Sequence, residues 1–179
     1  MTEQKWASVS TPYLQPRTAE QADAWAAEAA QHGRKGTHRL GEVSEQPAPP
    51  EVAERLGLTP GEQVIVRRRI VLLDDQPVEL ADSYYPVTIA RGTRLAEPRK
   101  VPGGAVALLA ELGYEPRHAE EDVHARPASE DERQALGLDR HDWVLVLTRT
   151  LRAENGEPVE ISVMTMNPMI RHLRYETTL

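Results

Sequence analysis

The sequence predicts an α+β domain whose antiparallel sheet is built from two repeated strand–helix–strand–strand halves. One observation is a repeat that keeps register. Pro47-Ala48 returns as Pro127-Ala128, Leu56-Gly57-Leu58 as Leu136-Gly137-Leu138, Val64-Ile65-Val66 as Val144-Leu145-Val146, and Arg69 as Arg149, each 80 residues on. Pro77-Val78-Glu79-Leu80 then returns as Pro158-Val159-Glu160-Ile161, 81 residues on, with the extra residue in a turn, where chains tolerate insertion. The second observation is that each half carries a short capped helix followed by two β-rich runs around a turn. Two similar halves packed together leave a pseudo-symmetric cleft between them, and that is where a ligand is expected.

Each element has its own local reason. Met1 to Arg17 carries Ser10, Pro12 and Pro16 without an apolar period and reads as an extended arm. Thr18-Ala-Glu-Gln21 is a capping box, with Thr18 as N-cap. Ala22, Trp25, Ala26 and Ala29 follow at helical spacing, and Gly33 suits a left-handed stop. The repeat begins at Thr37. Pro49 and Pro50 open a helix that closes at Gly57, and the capping box Ser129-Glu-Asp-Glu132 opens its counterpart, closing at Gly137. Strands are expected over Val64 to Leu73 and Trp143 to Leu151. They turn at Asp74-Asp75-Gln76 and Glu154-Asn155-Gly156-Glu157 and return over Val78 to Tyr85 and Val159 to Met166. Between the halves, Gly104 to Leu112 sets Ala105, Val106, Leu108, Leu109 and Leu112 on one apolar face, so this helix is expected to cover the sheet. The expected division is residues 1–32 as arm and short helix and residues 33–179 as the repeat domain, with helices on the sheet's buried side.

Composition narrows the function classes. The chain has 179 residues, 21 Lys and Arg against 28 Asp and Glu, and a net charge of −7. Binding to a phosphate backbone draws on clustered cations, and the one dense basic run, Arg67-Arg68-Arg69, lies inside a strand. With no cysteine there is no disulfide, thiolate metal site or cysteine nucleophile. No run reaches the length of a membrane span and the N-terminus lacks an apolar signal core, so a cytoplasmic protein without membrane contact is expected. No nucleophile elbow, P-loop, dinucleotide fingerprint or zincin helix occurs, so no cofactor is implied.

Strand alternation places Arg67 and Arg69 on one face and Arg68 on the other. Two readings stand for the pair: a solvated face neutralised by Glu79 and other acids, or a face that holds a planar oxyanion. Glu79 and Glu160 occupy equivalent places in the halves, either exposed or brought to a shared cleft to accept hydrogen bonds from a ligand. His118, Glu120, Asp122 and His124 alternate along one strand. Neighbours two apart on a strand do not converge on one ion unaided, so a solvated face is expected and no metal site.

Together the pieces resemble a known module. Arg67-x-Arg69, Asp75-Gln76-Pro77-Val78-Glu79, Tyr85-Pro86, the helix into Gly113 and Asn155-Gly156-Glu157-Pro158-Val159-Glu160-Ile161-Ser162 are similar to the UTRA domain. That is the effector-binding half of HutC-type repressors in the GntR superfamily, and the likeness runs from about Gly33 to Leu179. The resemblance implies a chorismate-lyase-like α+β fold, a small-molecule effector in a cleft and a homodimer. Arg67 and Arg69 match its anion-contacting arginines; Glu79 and Glu160 match its ligand-contacting glutamates. The family's amino-sugar-phosphate sensors place Ser and Tyr where this chain has Gly104 and Val106, which disfavours a phosphosugar and leaves a carboxylate or a less charged metabolite. Upstream, residues 1–32 hold one capped helix and no recognition face, so DNA contact is expected only through a partner chain or a missing domain. The leading expectation is a non-catalytic sensor module. The alternatives are a small chorismate-lyase-like enzyme, with Arg67 and Arg69 clamping a substrate carboxylate and Glu79 as acid, or a dimerisation module that titrates full-length regulators.

Overall fold

The computed structural model describes residues 7–176; residues 1–6 of the expected arm and residues 177–179 lie outside that part. From the N-terminus run β1 (Ala7–Ser8), α1 (Thr11–Leu14) and α2 (Ala24–Gln31), then the first half as β2 (Gly36–Pro47), α3 (Pro50–Leu56), β3 (Gln63–Leu73) and β4 (Gln76–Pro86). A connection made of α4 (Val87–Ala90), a 3-10 turn at Arg94–Ala96 and α5 (Gly104–Glu111) leads to the second half. That half repeats the order as β5 (Pro116–Pro127), α6 (Glu130–Leu136), β6 (Trp143–Ala153) and β7 (Pro158–Met166), and β8 (His172–Leu173) follows.

The main sheet has six antiparallel strands in the order β2-β3-β4-β7-β6-β5, so each half is a meander and the halves join through β4 and β7. Asp82 pairs with Val163 at the centre, and the offset of 81 carries that pair onto itself. A local two-fold therefore passes through it. Glu79 and Glu160 are mates under this two-fold and sit toward opposite ends of the central floor. Six residues of strand separate Glu79 from Tyr85, the residue beside Glu160 if the β4–β7 register is continued by one pair, which is roughly 20 Å of backbone.

Helices cover both faces of this sheet rather than one, which corrects the single-sided expectation. On one face Val52 and Leu56 of α3 pack with Val64, Val66, Tyr84 and Ile161. Ala128 and Leu136, the latter on α6, pack with Val144 and Val146 on the same face. On the other face Leu108 and Leu109 of α5, with Ile89, Ala90 and Leu95, pack over Ile65, Tyr85 and Leu151. Trp25 and Ala29 of α2 pack over Val71, Leu73 and Ala81 there. The continuous apolar runs of β3 and β6 are the signature of strands buried on both sides.

Three local differences have physical causes. The cap of α2 is Asp23, whose carboxylate accepts from the Ala26 N–H at 2.9 Å, and not Thr18. Thr18 and Gln21 close a turn ahead of it, the Thr18 N–H donating to Gln21 Oε1 at 3.0 Å. The arm is not extended throughout: α1 is a helical turn with proline in its first positions, and β1 runs parallel to β8. At Gly36 a Cβ would lie 2.8 Å from both Ala29 Cβ and Trp25 O, so the close seat of α2 on β2 requires glycine there.

Candidate functional site

A hollow of about 190 Å³ lies between the α2/α5 face of the sheet and the segments that cross it. The sheet supplies Arg69, Glu79, Tyr85, Arg149, Glu160 and Ser162; Ser8, Ser10 and Tyr13 of the arm and Leu173 of β8 close one side. A second hollow of about 390 Å³ adjoins it, sharing Asp23, His38, Arg69, Tyr85 and the Gly103–Ala105 start of α5. Gly103 has φ 75°, and a Cβ there would stand 2.6 Å from Arg17 O.

Arg69 is on β3, two residues from Arg67 on the same face, and its Nη2 donates to Ser83 Oγ at 2.8 Å. Ser83 and Ser162 are a cross-strand pair of β4 and β7, their Oγ atoms 2.7 Å apart. Ser162 Oγ donates to Glu160 Oε1 at 2.5 Å. Proton counting sets the direction. Ser162 has one hydroxyl hydrogen and gives it to a carboxylate that can only accept, so Ser83 must be the donor between the two serines. A one-way hydrogen-bonded chain thus runs Arg69 → Ser83 → Ser162 → Glu160 across three strands.

Much of this chemistry is unspent. Among the described residues seven buried side-chain polar atoms lack a hydrogen-bond partner within the protein. Five of these, Arg69 Nε, Glu79 Oε2, Glu160 Oε2, Arg171 Nε and Arg171 Nη1, belong to residues that line the first hollow. A buried polar group without a partner costs about 1–3 kcal/mol. Glu79 Oε2 and Arg171 Nη1 have ion-pair partners, which leaves Arg69 Nε, Arg171 Nε and Glu160 Oε2 able to take a polar partner, water included. Glu79 is ion-paired through Oε2 with Arg171 Nη2 at 3.2 Å without forming a hydrogen bond. The Arg171 guanidinium also lies 4.4 Å from the centre of the Trp25 ring. Burial pushes the Tyr85 hydroxyl well above its ordinary pKa, and the Glu160 charge adds to that. Burial alone would raise the Asp23 carboxyl. Hydrogen bonds from His38 and the Ala26 N–H, with the charges of His38 and Lys100, override it and hold that group well below the usual carboxylate range.

The four residues singled out by sequence do not form one cluster. Arg69, Glu79 and Glu160 line the first hollow, but the two glutamates stand toward its opposite ends. Arg67 separates from Arg69. Its Nη1 donates to the carbonyls of Leu95 at 2.7 Å and Glu97 at 2.8 Å, and its Nη2 to that of Arg99 at 2.7 Å. Its guanidinium ties the 94–99 segment to the sheet and borders the second hollow only. His118, Glu120, Asp122 and His124 are exposed along the edge strand β5, with Asp122 accepting from Arg55 Nη1 at 2.7 Å.

Sequence reasoning missed Arg149, Arg171 and the two serines. Arg149 was signalled by the repeat, as the counterpart of Arg69. It is held by Glu121, which accepts from its Nε at 2.6 Å, and it also donates to Ser10 Oγ at 3.3 Å. Arg171 follows the repeat and carried no signal.

A family model described as the UTRA domain matches residues 31–169, and the chain belongs to that family. An HTH-type transcriptional regulator of Streptomyces coelicolor is 38% identical over 124 residues, covering 68% of this chain and 46% of the relative. One from Mycobacterium tuberculosis is 33% identical over 124 residues, covering 68% and 45%. The chain thus spans under half the length of these two relatives. Among solved structures, the ligand-binding domain of a GntR-family transcriptional regulator from Bordetella bronchiseptica is 25% identical, with a TM-score of 0.68, covering 81% of this chain and 91% of that one. The effector domain of PhnF from Mycobacterium smegmatis shares the fold, with a TM-score of 0.73 at 18% identity, covering 92% and 99%. The chain is therefore a regulator-type ligand-binding domain in fold and family. No helix of the described residues is long and apolar enough to cross a membrane.

Proposed function

We propose that this chain is a non-catalytic sensor module of a GntR-type transcription regulator. A small molecule occupies the hollow over β3, β4, β6 and β7 and is returned unchanged. The observation that carries this reading is the set of five buried polar atoms, on four residues lining one hollow, that have no hydrogen-bond partner in the protein. Arg69 supplies the anion contact, because it is the sheet guanidinium there without a carboxylate hydrogen-bonded to it; Glu79 and Glu160 orient polar groups of the ligand. Arg67 acts indirectly, by fixing the 94–99 segment that leads into the Lys100–Ala105 stretch lining the second hollow. With a net charge of −7 the module contacts DNA through a partner chain or a further domain, works in the cytoplasm and acts as a homodimer. Ligand binding shifts a conformational equilibrium only through differential affinity for its two states.

Native mass spectrometry of the chain purified from its own cells tests this. A retained small molecule, lost from Arg69→Gln and recovered chemically intact, is the expected result. Conversion of that molecule on incubation would replace the sensor reading with the enzyme one.

A further inference from the structure

The hollow is not a cationic pocket. Its lining carries Arg69, Arg149, Arg171 and His38 against Asp23, Glu79 and Glu160, and two further carboxylates stand close behind. Glu121 is 2.6 Å from Arg149 Nε, and Glu28 is 3.9 Å from Arg171 Nη1. A doubly charged phosphate entering here meets no surplus of positive charge. The unspent atoms are also of both kinds: donors on Arg69 and Arg171, acceptors on Glu79 and Glu160. A ligand that satisfies them must bring an acceptor and a donor together.

The hydrogen-bonded chain across the floor bounds the distance between two of these groups. Links of 2.8, 2.7 and 2.5 Å hold the Arg69 guanidinium and the Glu160 carboxylate within about 8 Å of each other. Both ends are held by the chain, through Arg69 Nη2 and Glu160 Oε1, while Arg69 Nε and Glu160 Oε2 stay free. In a molecule with an ammonium and a carboxylate on one carbon, the nitrogen and a carboxylate oxygen are ~3 Å apart, across three bonds of about 1.2–1.5 Å bent at each atom. Adding a charge-assisted hydrogen bond of about 2.8 Å at each end spans about 8–9 Å. A carboxylate on Arg69 and an ammonium on Glu160 therefore fit one compact zwitterion. Charges five methylenes apart, fully extended and with the same two hydrogen bonds, span about 13 Å and exceed that bound. Leu147, Met164 and Met166 also line the hollow and give it an apolar share.

We propose that the effector is a compact zwitterion of the α-amino-acid type, its carboxylate on Arg69 and its ammonium on Glu160. This rests on the sensor reading above. The test is titration calorimetry of the wild-type chain with the twenty protein L-amino acids. For each binder, the deaminated acid, the decarboxylated amine and 6-aminohexanoate follow, with a parallel panel of hexose phosphates and simple carboxylates. At least one amino acid is expected to bind ten times or more tighter than its deaminated acid, its amine and 6-aminohexanoate. Glu160→Gln is expected to bring the amino acid and its deaminated acid within about threefold. Equal or tighter binding of the deaminated acid overturns the zwitterion and leaves the sensor reading standing, as does binding of a hexose phosphate or simple carboxylate when no amino acid binds. A folded chain that binds no member of either panel overturns both.

Discussion

Arg67 and Arg69 lie two residues apart on one strand face, yet they sit in different surroundings, and on the proposed reading they do different jobs that paired substitutions to glutamine separate. Removing the Arg67 guanidinium leaves the Leu95, Glu97 and Arg99 carbonyls, now bonded at 2.7–2.8 Å, without their donor. At about 1–3 kcal/mol for each unsatisfied buried acceptor, and with part of the loop reaching water, the loss is about 3 kcal/mol or more. For a domain of this length that is a fall in Tm of roughly 6–12 °C in a thermal scan. Arg69 makes one side-chain hydrogen bond, to Ser83, so Arg69→Gln is expected to lower Tm by no more than about 4 °C. Its effect falls on the effector: a charge-assisted hydrogen bond of about 1.5–3 kcal/mol corresponds to roughly 10- to 150-fold in Kd. Scanning fluorimetry reads the first effect and calorimetry with the retained ligand reads the second. Arg67→Gln with an unchanged Tm but no binding would refute the division of labour, and so would Arg69→Gln with a collapsed Tm and intact affinity.

Other outcomes follow from single features. Gly36→Ala forces a Cβ against Ala29 and Trp25 O and is expected to destabilise by about 1–3 kcal/mol by urea unfolding. Asp74 and Asp75 turn between β3 and β4 at φ 48° and 65°, so Asp75→Gly is expected to stabilise by up to about 1 kcal/mol, read the same way. The Glu132 carboxyl is held at about 2, against an ordinary 4.5, first by hydrogen bonds from Arg126. Its folded pKa is depressed, so its contribution is present above about 4.5 and lost as pH falls toward about 2. Glu132→Gln is expected to flatten that part of an acid titration of stability.

The halves of the fold are legible because turn and cap chemistry is local. Glycine at 57 and 137, the Asn155-Gly156 turn and the proline-opened α3 each specify their own backbone, and the repeat cross-checks them. Which layers cover the sheet is not local. Val64-Ile65-Val66 reads as buried, but only tertiary packing says that α3 lies on one side and α4 and α5 on the other. The α2 cap was ambiguous because Thr18 and Gln21 make a capping-box bond within a turn, while Asp23 wins the helix through a charged acceptor. In the site, alternation correctly put Arg67 and Arg69 on one face. It could not show that carbonyls of a loop about 30 residues later would take up one guanidinium and not the other. Nor could it find Ser83 and Ser162, whose pairing depends on the register of β4 against β7.

The hollow arises where the repeat breaks its own symmetry. Arg149 faces Glu121 across β5 and β6 and is neutralised by it. Its counterpart Arg69 faces Leu40 across β2 and β3, because the register shifts between Leu40 and Val43. Within that shift Glu42, the nearest acid, pairs with Arg68 on the opposite face of the sheet. The acid opposite Arg149 therefore has no counterpart opposite Arg69: the shift sets Leu40 there, and the register beyond it would set Gly41. Leu40→Glu puts a carboxylate opposite Arg69, as Glu121 stands opposite Arg149. With Leu40 bordering the second hollow, there is room for the change. The expected result is at least a tenfold loss of effector affinity with the folded circular-dichroism spectrum retained. Undiminished binding by Leu40→Glu would mean that the missing acid is not what makes Arg69 a ligand contact.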